Sequence, residues 1–259
     1  MDMGIRGRKA IVCAASKGLG RGCAEALAGE GVDLVISART RSEIEATAGE
    51  IAAKYGVSVT PVVSDVKTET GRATLLEACP EPDILVNNAG GPPPGDFADF
   101  SLEDWRDAVE GNMITPIAMI KATAYGMADR GFGRIVNITS YSVKAPVPNL
   151  ELSNGARAGL TGGIAVLARK LASKNVAINN MLPGPFATDR LWNTSVQMAK
   201  KMGKTVEEVQ DMRAEELPTK RFGTTTEFGA VCAMLCSAHA GFIIGQNLVL
   251  DGGSHVATI

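Results

Sequence analysis

An unbroken alternation of short apolar runs and amphipathic segments constrains the fold of this 259-residue chain more than any other feature. The apolar runs have the length of buried strands, and the segment after each one has the apolar spacing of a helix. The seven predicted strands are residues 9–15, 33–39, 58–66, 83–91, 134–140, 176–184 and 246–253. Strands that alternate with helices favour a parallel sheet covered on both faces. The sequence therefore predicts one doubly wound α/β domain over residues 1–259, with a seven-stranded parallel sheet flanked by helices.

Segments with helical spacing separate these strands. One follows the first strand, and the others cover residues 41–54, 68–79, 102–131, 151–174 and 225–238. The segment 102–131 is predicted as one long helix or a kinked pair, because Pro116 lies inside it and lacks a backbone N–H. Residues 186–220 are polar and partly helical without a strand pattern, which indicates a mobile substrate lid.

Composition and charge exclude several classes of protein. The net charge of −2 leaves no basic field for nucleic acid or an anionic membrane surface. The apolar runs are far shorter than the roughly 20 residues of a membrane-spanning helix, and the first residues lack the pattern of a secretory signal. The cysteines have no zinc spacing supported by histidine, so we expect reduced thiols, no metal site and a cytoplasmic location. These cysteines are Cys13, Cys23, Cys79, Cys232 and Cys236.

A glycine-rich turn, CAASKGLG, occupies residues 13–20 between the first predicted strand and its helix. Gly18 and Gly20 let the backbone approach a pyrophosphate at the helix N-terminus, where unpaired N–H groups and the dipole favour anions. Ala14 is compatible with this role if its φ is negative. A tight turn without a ligand is the alternative, since a glycine motif alone is weak evidence. The candidate cofactor-binding residues of the turn are Ser16, Lys17, Gly18, Leu19 and Gly20.

With further motifs in the same order, this turn resembles the short-chain dehydrogenase/reductase family over essentially the whole chain. The family's TGxxxGxG motif corresponds to residues 13–20, with Cys13 and Ala14 replacing the threonine and first glycine. In overall lines the chain is most similar to 3-oxoacyl-carrier-protein reductases, which have a Rossmann-type fold. The resemblance implies further cofactor-binding positions, from the adenine contacts to the segment that closes on the nicotinamide: Asp65, Val66, Asn88, Ala89, Gly90, Pro183, Gly184 and Thr188.

The expected cofactor is NADP(H) rather than NAD(H). NAD-preferring members carry an acid at the end of the second strand, where it binds the ribose 2′-OH. Here this strand ends in Ser37-Ala38-Arg39, without an acid. Arg39 can fork onto a 2′-phosphate, and Lys17 can add a second charge. A solvated loop arginine is the alternative interpretation of Arg39.

Two of the family's three catalytic positions are changed in this chain. The resemblance implies a serine, a tyrosine thirteen residues later and a lysine four beyond, but the chain has Ser140, Ser153 and Arg157. A serine is a poor substitute acid because its pKa lies far above the roughly 10 of tyrosine. Arg157 can hold the nicotinamide ribose but cannot pass a proton. Asn112 matches the asparagine of the family's water-mediated proton relay, and Tyr141 is either an alternative donor or a packed loop residue.

Several functions remain open at this point. The first is an NADP(H)-dependent oxidoreductase that reduces a ketone, with 3-oxoacyl compounds as one candidate, or catalyses the reverse reaction. Its proton would come from Ser153, Tyr141 or a water held by Asn112. The second is a dinucleotide-binding protein with lost or weak redox activity, such as a sensor or structural subunit. Non-redox chemistry, as in a lyase or isomerase, is the third. Dehalogenase-like members keep the tyrosine and lose the glycine motif, the reverse of this chain.

The helix after Ser153 carries a face of small residues that permits close packing. The family's equivalent helix packs against its twin, so the resemblance implies a homotetramer, with a dimer as the fallback. The alternative is that this face packs on the sheet of its own subunit. The residues of the face are Gly155, Ala156, Ala158, Gly159, Gly162 and Gly163.

Overall fold

A computed structural model describes residues 2–256 of the chain. Over this range, seven strands form one sheet: β1 Lys9–Val12, β2 Asp33–Ala38, β3 Val59–Val63, β4 Ile84–Asn87, β5 Gly133–Ile138, β6 Val176–Pro183 and β7 Asn247–Leu250. All neighbouring strands are parallel, in the order β3-β2-β1-β4-β5-β6-β7. This order is that of a doubly wound Rossmann-type sheet, which confirms the predicted fold class.

Helices connect the strands and cover both faces of the sheet. They are α1 Gly18–Gly29, α2 Arg41–Tyr55, α3 Glu69–Ala78, α4 Leu102–Val109, α5 Thr115–Asp129, α6 Glu151–Leu171, α7 Asp189–Met202, α8 Val206–Glu215 and α9 Thr225–Cys236. Short 3₁₀ turns lie at Phe97–Asp99, Tyr141–Val143, Ala172–Lys174 and Ala238–Phe242. The sheet therefore has helical layers on either side, and its loops meet at the two ends of the strands.

The central strand β1 shows why its sequence is apolar without alternation. Ala10 and Val12 pack into the core beneath α1, α2 and α9, while Ile11 and Cys13 pack into the core on the opposite face. All four side chains are almost completely buried. A strand covered on both faces must be apolar on both, which is the pattern expected of parallel sheets.

Two segments differ in detail from the sequence expectation. Within residues 102–131, the helical backbone continues through a π-helical turn at Glu110–Ile114, which separates α4 from α5. Pro116 does not cause an internal break, because it lies in the first turn of α5, where a missing N–H is tolerated. The proposed lid, residues 186–220, contains two helices, α7 and α8, and is more regular than its polar composition indicates.

Four asparagines form a hydrogen-bonded row across adjacent strands, which we call the asparagine row. Asn87, Asn137, Asn180 and Asn247 are register partners on β4, β5, β6 and β7. Each Nδ2 donates to the Oδ1 of the next residue, at 2.8, 3.0 and 2.7 Å in turn. The first three side chains are buried, so each amide group finds in its neighbour the partner that burial demands.

Candidate active site

The candidate site lies at the carboxyl ends of the strands, around β1 and its neighbour β4. The chain winds from β1 to β2 and β3 on one side and from β4 outward on the other, so this edge is a topological switch point. Ligands of open α/β sheets bind in the crevice outside such a point. The loops that follow β1, β4, β5 and β6 carry most of the candidate residues to this crevice.

The glycine-rich turn has the close approaches that a phosphate cradle needs. A Cβ on Gly20 would lie 2.3 Å from the Ala14 carbonyl oxygen, and Gly18 has φ +61°. The N-cap of α1, Lys17, makes no side-chain capping hydrogen bond, which leaves the first N–H groups of the helix available to a ligand. The turn therefore fits the pyrophosphate of a dinucleotide.

Ala14 departs from the condition set by the sequence analysis. Its φ is +48°, not negative, so it occupies the left-handed region where the related motif has glycine. The turn nevertheless forms, since the Ala14 carbonyl accepts a hydrogen bond from Asn88 Nδ2 at 3.1 Å. That bond joins the loop after β4 to the loop after β1, and Ala89 and Gly90 continue from it along the crevice.

The region where a 2′-phosphate would bind contains an acid that the sequence analysis missed. Arg39 is exposed directly after β2. Lys17 Nζ, however, lies 3.5 Å from Glu43 Oε1 and 3.4 Å from Asp189 Oδ2. The Ser16 hydroxyl also donates to Glu43, at 3.2 Å. Lys17 is thus paired with two carboxylates. Arg39 is the cation of this region that directly follows β2.

Asp65 and Val66 follow the end of β3 rather than belonging to it. The Asp65 carboxylate accepts from the Lys67 N–H at 3.0 Å, which forms a tight turn, and Val66 is buried at the edge of the crevice. Leu19, in the first turn of α1, packs against the core beneath the glycine-rich turn.

Arg157 is the most constrained charged group of the site. It is 8% exposed, and its Nη1 donates to the backbone carbonyls of Ile138 at 2.8 Å and Thr139 at 2.9 Å. Its Nε donates to Ser153 Oγ at 3.2 Å. Burial, followed by the positive charge of Arg190, lowers the pKa of Arg157 to about 10. A buried cation thus connects the end of β5 to the hydroxyl at the family's tyrosine position.

Ser140 and Tyr141 follow β5 but face different surroundings. Ser140 Oγ accepts from the Ser142 N–H at 3.2 Å and caps the short turn, so its hydroxyl proton is free to point elsewhere. Burial raises the pKa of Tyr141, the nearby Asp251 raises it too, and Arg213 of α8 opposes them. The serine and tyrosine hydroxyls after β5 thus differ in their electrostatic surroundings.

Asn112 lies in the π-helical turn and lines a small cavity with Thr115 and Arg157. Asn112 Nδ2 donates to the Ala108 carbonyl at 3.3 Å, and the Thr115 hydroxyl is buried without a hydrogen-bond partner. The cavity, of about 20 Å³, has room for one water. Burial raises the pKa of Cys13, on the same cavity, to about 12, so its thiol stays protonated.

The segment after β6 closes the crevice from the lid side. Pro183 ends β6, and a Cβ on Gly184 would lie 2.7 Å from Asp251 Cα, so this position requires glycine. Thr188 caps α7, accepting from the Leu191 N–H at 3.4 Å, and its methyl group lies opposite Gly18 across the crevice. The glycine-rich turn and the start of α7 thus face each other.

Arg190, which the sequence analysis missed, crosses the crevice from α7. Its Nη1 and Nη2 donate to the backbone carbonyls of Gly91 and Pro92, each at 3.1 Å. Burial lowers the pKa of its guanidinium group. No sequence motif marks this residue, since only the fold brings the first turn of α7 to the loop after β4.

The sheet order and the glycine-rich turn at a helix N-terminus define a protein of the Rossmann-type dinucleotide-binding class. A family model described as enoyl-(acyl carrier protein) reductase matches residues 13–255. The chain belongs to the short-chain dehydrogenase/reductase family.

Similar proteins are reductases by name. The NADPH-dependent reductase BacG of Bacillus subtilis is 31% identical over 252 residues, which cover 95% of this chain and 97% of the relative. The 3-oxoacyl-[acyl-carrier-protein] reductase FabG of Aquifex aeolicus is 32% identical, with 98% and 99% covered. The structure of L-sorbose reductase from Gluconobacter frateurii, complexed with NADPH and L-sorbose, superimposes with a TM-score of 0.94 at 29% identity, covering 99% and 100%.

Residues 2–256 contain neither a metal-binding cluster nor a helix suited to spanning a membrane. No three histidine, cysteine, aspartate or glutamate side chains in this range cluster as a metal site. None of its helices is both long and apolar enough to cross a membrane.

Proposed function

We propose that this protein is an NADP(H)-dependent reductase of ketones, able to run in reverse, in which Ser153 held by Arg157 stands in for the family's tyrosine. The observation that carries the proposal is the hydrogen bond from Arg157 Nε to Ser153 Oγ beside the end of β5. The names of the similar proteins, among them NADPH-dependent and 3-oxoacyl reductases, support the reaction class.

The residues of the crevice fit NADP(H). The glycine-rich turn would cradle the pyrophosphate, and Arg39 would supply a cation for the 2′-phosphate. Thr188, which faces Gly18 across the crevice, and Gly184 would close off the nicotinamide end. When bound, the cofactor supplies a hydride to the carbonyl carbon. The preference for NADP(H) over NAD(H) is part of the proposal and rests on the exposed Arg39.

Side chains of this protein would bind the carbonyl oxygen and stabilise the charge that develops on it. Ser140 and Ser153 donate hydrogen bonds to it, because each accepts a bond from an N–H donor and keeps its own proton free. Arg157 places a fixed positive charge beside the negative charge that develops on the oxygen, and such preorganised charge lowers the barrier. Arg157 is not itself the acid, since it already holds two carbonyls and stays charged near neutral pH.

Two sources remain for the proton that the oxygen finally takes. One is the Ser153 hydroxyl, whose acidity is increased by the adjacent guanidinium group. The other is a water in the cavity lined by Asn112 and Thr115. Such a water would give the buried Thr115 hydroxyl the hydrogen-bond partner that it lacks among the described residues. Tyr141 is the weaker candidate, because it does not line this cavity.

The test follows NADPH and NADH absorbance with an activated ketone, trifluoroacetone, as substrate. We expect NADPH oxidation by the wild type and a loss of about 10²-fold or more in Ser153→Ala, the effect typical of a lost oxyanion donor. The double change Ser153→Tyr with Arg157→Lys should raise the rate, because it restores a better acid.

Cofactor affinity, measured by NADPH fluorescence, separates the outcomes. NADPH binding without oxidation by the wild type or the double variant would contradict the proposal. That result would favour the alternative, a dinucleotide-binding protein with lost or weak redox activity. Arg106→Gln, which changes an exposed arginine of α4, serves as the matched control for purification and folding.

A further inference from the structure

Arg157 and Arg190 form a pair of like charges at the carboxyl edge of the sheet. Arg157 is bound to carbonyls at the end of β5, and Arg190 is bound to carbonyls in the loop after β4. Strands β4 and β5 are direct neighbours, with Asn87 opposite Asn137. The carbonyls that hold the two guanidinium groups thus belong to the ends of adjacent strands, and the charge of Arg190 adds to the effect of burial in lowering the pKa of Arg157.

Neither charge is neutralised within the part of the chain that the structure describes. No carboxylate forms an ion pair with Arg157 or Arg190 there. The acid next in sequence to Arg190, Asp189, is paired with Lys17 instead. All of the hydrogen bonds that Arg157 and Arg190 make are to carbonyl or hydroxyl oxygens.

The position of Arg190 adds to this imbalance. It lies in the first turn of α7, where the helix dipole favours anions and disfavours a cation. Two partly desolvated like charges, one of them at the positive end of a helix, are unfavourable unless an anion joins them. A planar guanidinium group matches the two oxygens of a carboxylate or phosphate.

We propose that Arg190, together with Arg157, selects a ketone substrate that carries an anionic oxyacid group. This inference rests on the proposed ketone reductase function and names the substrate class of the same site. Arg190 is open to solvent on one side, so it can exchange a carbonyl contact for a substrate oxygen, whereas Arg157 is buried and supplies a fixed charge. The pyrophosphate cradle is at a different loop, after β1, and the cation pair is therefore not needed to explain it.

The experiment measures the binding of two matched pairs of ligands to the protein–NADPH complex by quenching of NADPH fluorescence. The first pair is acetoacetate and methyl acetoacetate, and the second is dihydroxyacetone phosphate and dihydroxyacetone. We expect the wild type to prefer the anion in at least one pair by about tenfold or more, the size of a charge-assisted hydrogen bond. A preference in the first pair indicates a carboxylate, and one in the second pair a phosphate.

The Arg190→Gln variant should lose this preference while its NADPH affinity stays close to that of the control Arg106→Gln. Arg190→Lys keeps the charge without the fork and should retain part of the preference. An absence of anion preference in both pairs overturns the inference. So does an Arg190→Gln variant that weakens NADPH and all four ligands alike, because the cation would then serve the cofactor.

Turnover is recorded separately in the same samples. Anion-selective binding without NADPH oxidation would refute the proposed reductase function and leave the anion site standing. NADPH oxidation with both members of a pair, without selectivity for the anion, would support the reductase function and refute the anion site.

Discussion

Ala14 holds a left-handed backbone conformation, φ +48°, at the start of the glycine-rich turn. For a residue with a Cβ this conformation costs about 1–2 kcal/mol. The surrounding contacts impose it, because the Ala14 carbonyl is held by Asn88 Nδ2 and faces the space where only the hydrogen of Gly20 fits. Backbone strain of this kind is retained at binding turns whose geometry the neighbouring structure fixes.

Replacing Ala14 by glycine should stabilise the fold. Relief of the strain stabilises the folded state by about 1–2 kcal/mol. The greater flexibility of glycine in the unfolded chain offsets about 0.4–1 kcal/mol of this gain. We expect a net gain of about 0.5–1 kcal/mol, seen as a melting temperature about 1–4 °C higher in calorimetry. The matched control is Gly56→Ala, at φ +69° in open space at the end of α2, which should lower the melting temperature. A lower melting temperature for Ala14→Gly would contradict the assignment of strain.

At the scale of elements, helix termini are fixed by local side chains. Helices α4, α8 and α9 each begin with a capping box, in which a serine or threonine and an acid three residues on bond each other's backbone. In α9 the acid is Glu227, whose Oε1 also forms an ion pair with Arg221 Nη2 at 2.6 Å. Arg221, followed by the capping contacts, lowers the pKa of Glu227 to about 2. This cap anchors the helix that packs against α1.

The Glu227→Gln variant should lose stability in a pH-dependent manner. The pKa of Glu227 is about 2 in the folded protein against 4.5 as the reference value, so the folded state binds fewer protons between these values. Its contribution is therefore fully present above pH 4.5 and is lost as the pH falls towards 2. We expect a lower melting temperature than wild type at pH 7 and a difference that closes below pH 4.5. Glu81→Gln, at an exposed loop position, is the control; a pH-independent difference would refute the prediction.

The elements were predictable where a period of apolar residues imposes them, as in β1, whose two faces are both covered. Their ends were less predictable: β4 ends at Asn87, whereas the predicted strand continues to residue 91. The π-helical turn, which contacts α6 as α4 and α5 do, has no sequence signal. For the site, motifs located Ser153, Arg157 and Asn112. Arg190 and Glu43 were not predicted as site residues, because only the folded sheet brings them to the loops of the site.

At the scale of the whole molecule, the small-residue face of α6 divides into two parts. Cβ atoms on Gly155 and Gly159 would lie 3.1 Å from Trp105 and 2.8 Å from Met113 of the same chain. Gly162 and Gly163 have nothing within 4 Å, and the neighbouring Val166 is 69% exposed. The first half is thus used within the subunit, against α4 and the π-helical turn rather than against the sheet. The second half is open, and we propose that it packs against a second copy in a homo-oligomer.

A charge on this open face should break the assembly. We expect Val166→Glu to shift the molar mass from light scattering towards the monomer, because burying an unpaired carboxylate is costly, while circular dichroism stays unchanged. Phe242→Glu changes a fully exposed side chain after α9 and should leave the mass unaltered. Loss of assembly only in Phe242→Glu would place the interface elsewhere, and a monomeric wild type would refute the proposal outright.

The asparagine row makes completion of the sheet depend on the last strand to be synthesised. Its members are separated by 50, 43 and 67 residues along the chain, so no hairpin or local unit can form it early. Until β7 emerges from the ribosome, the amide of Asn180 has no Asn247 to donate to. A strand paired one residue out of step would turn its asparagine to the opposite face and leave buried amides of the row without partners. The hydrogen bonds of the row are therefore complete only in the finished strand order. A nascent chain can still change its strand pairing until β7 has been synthesised.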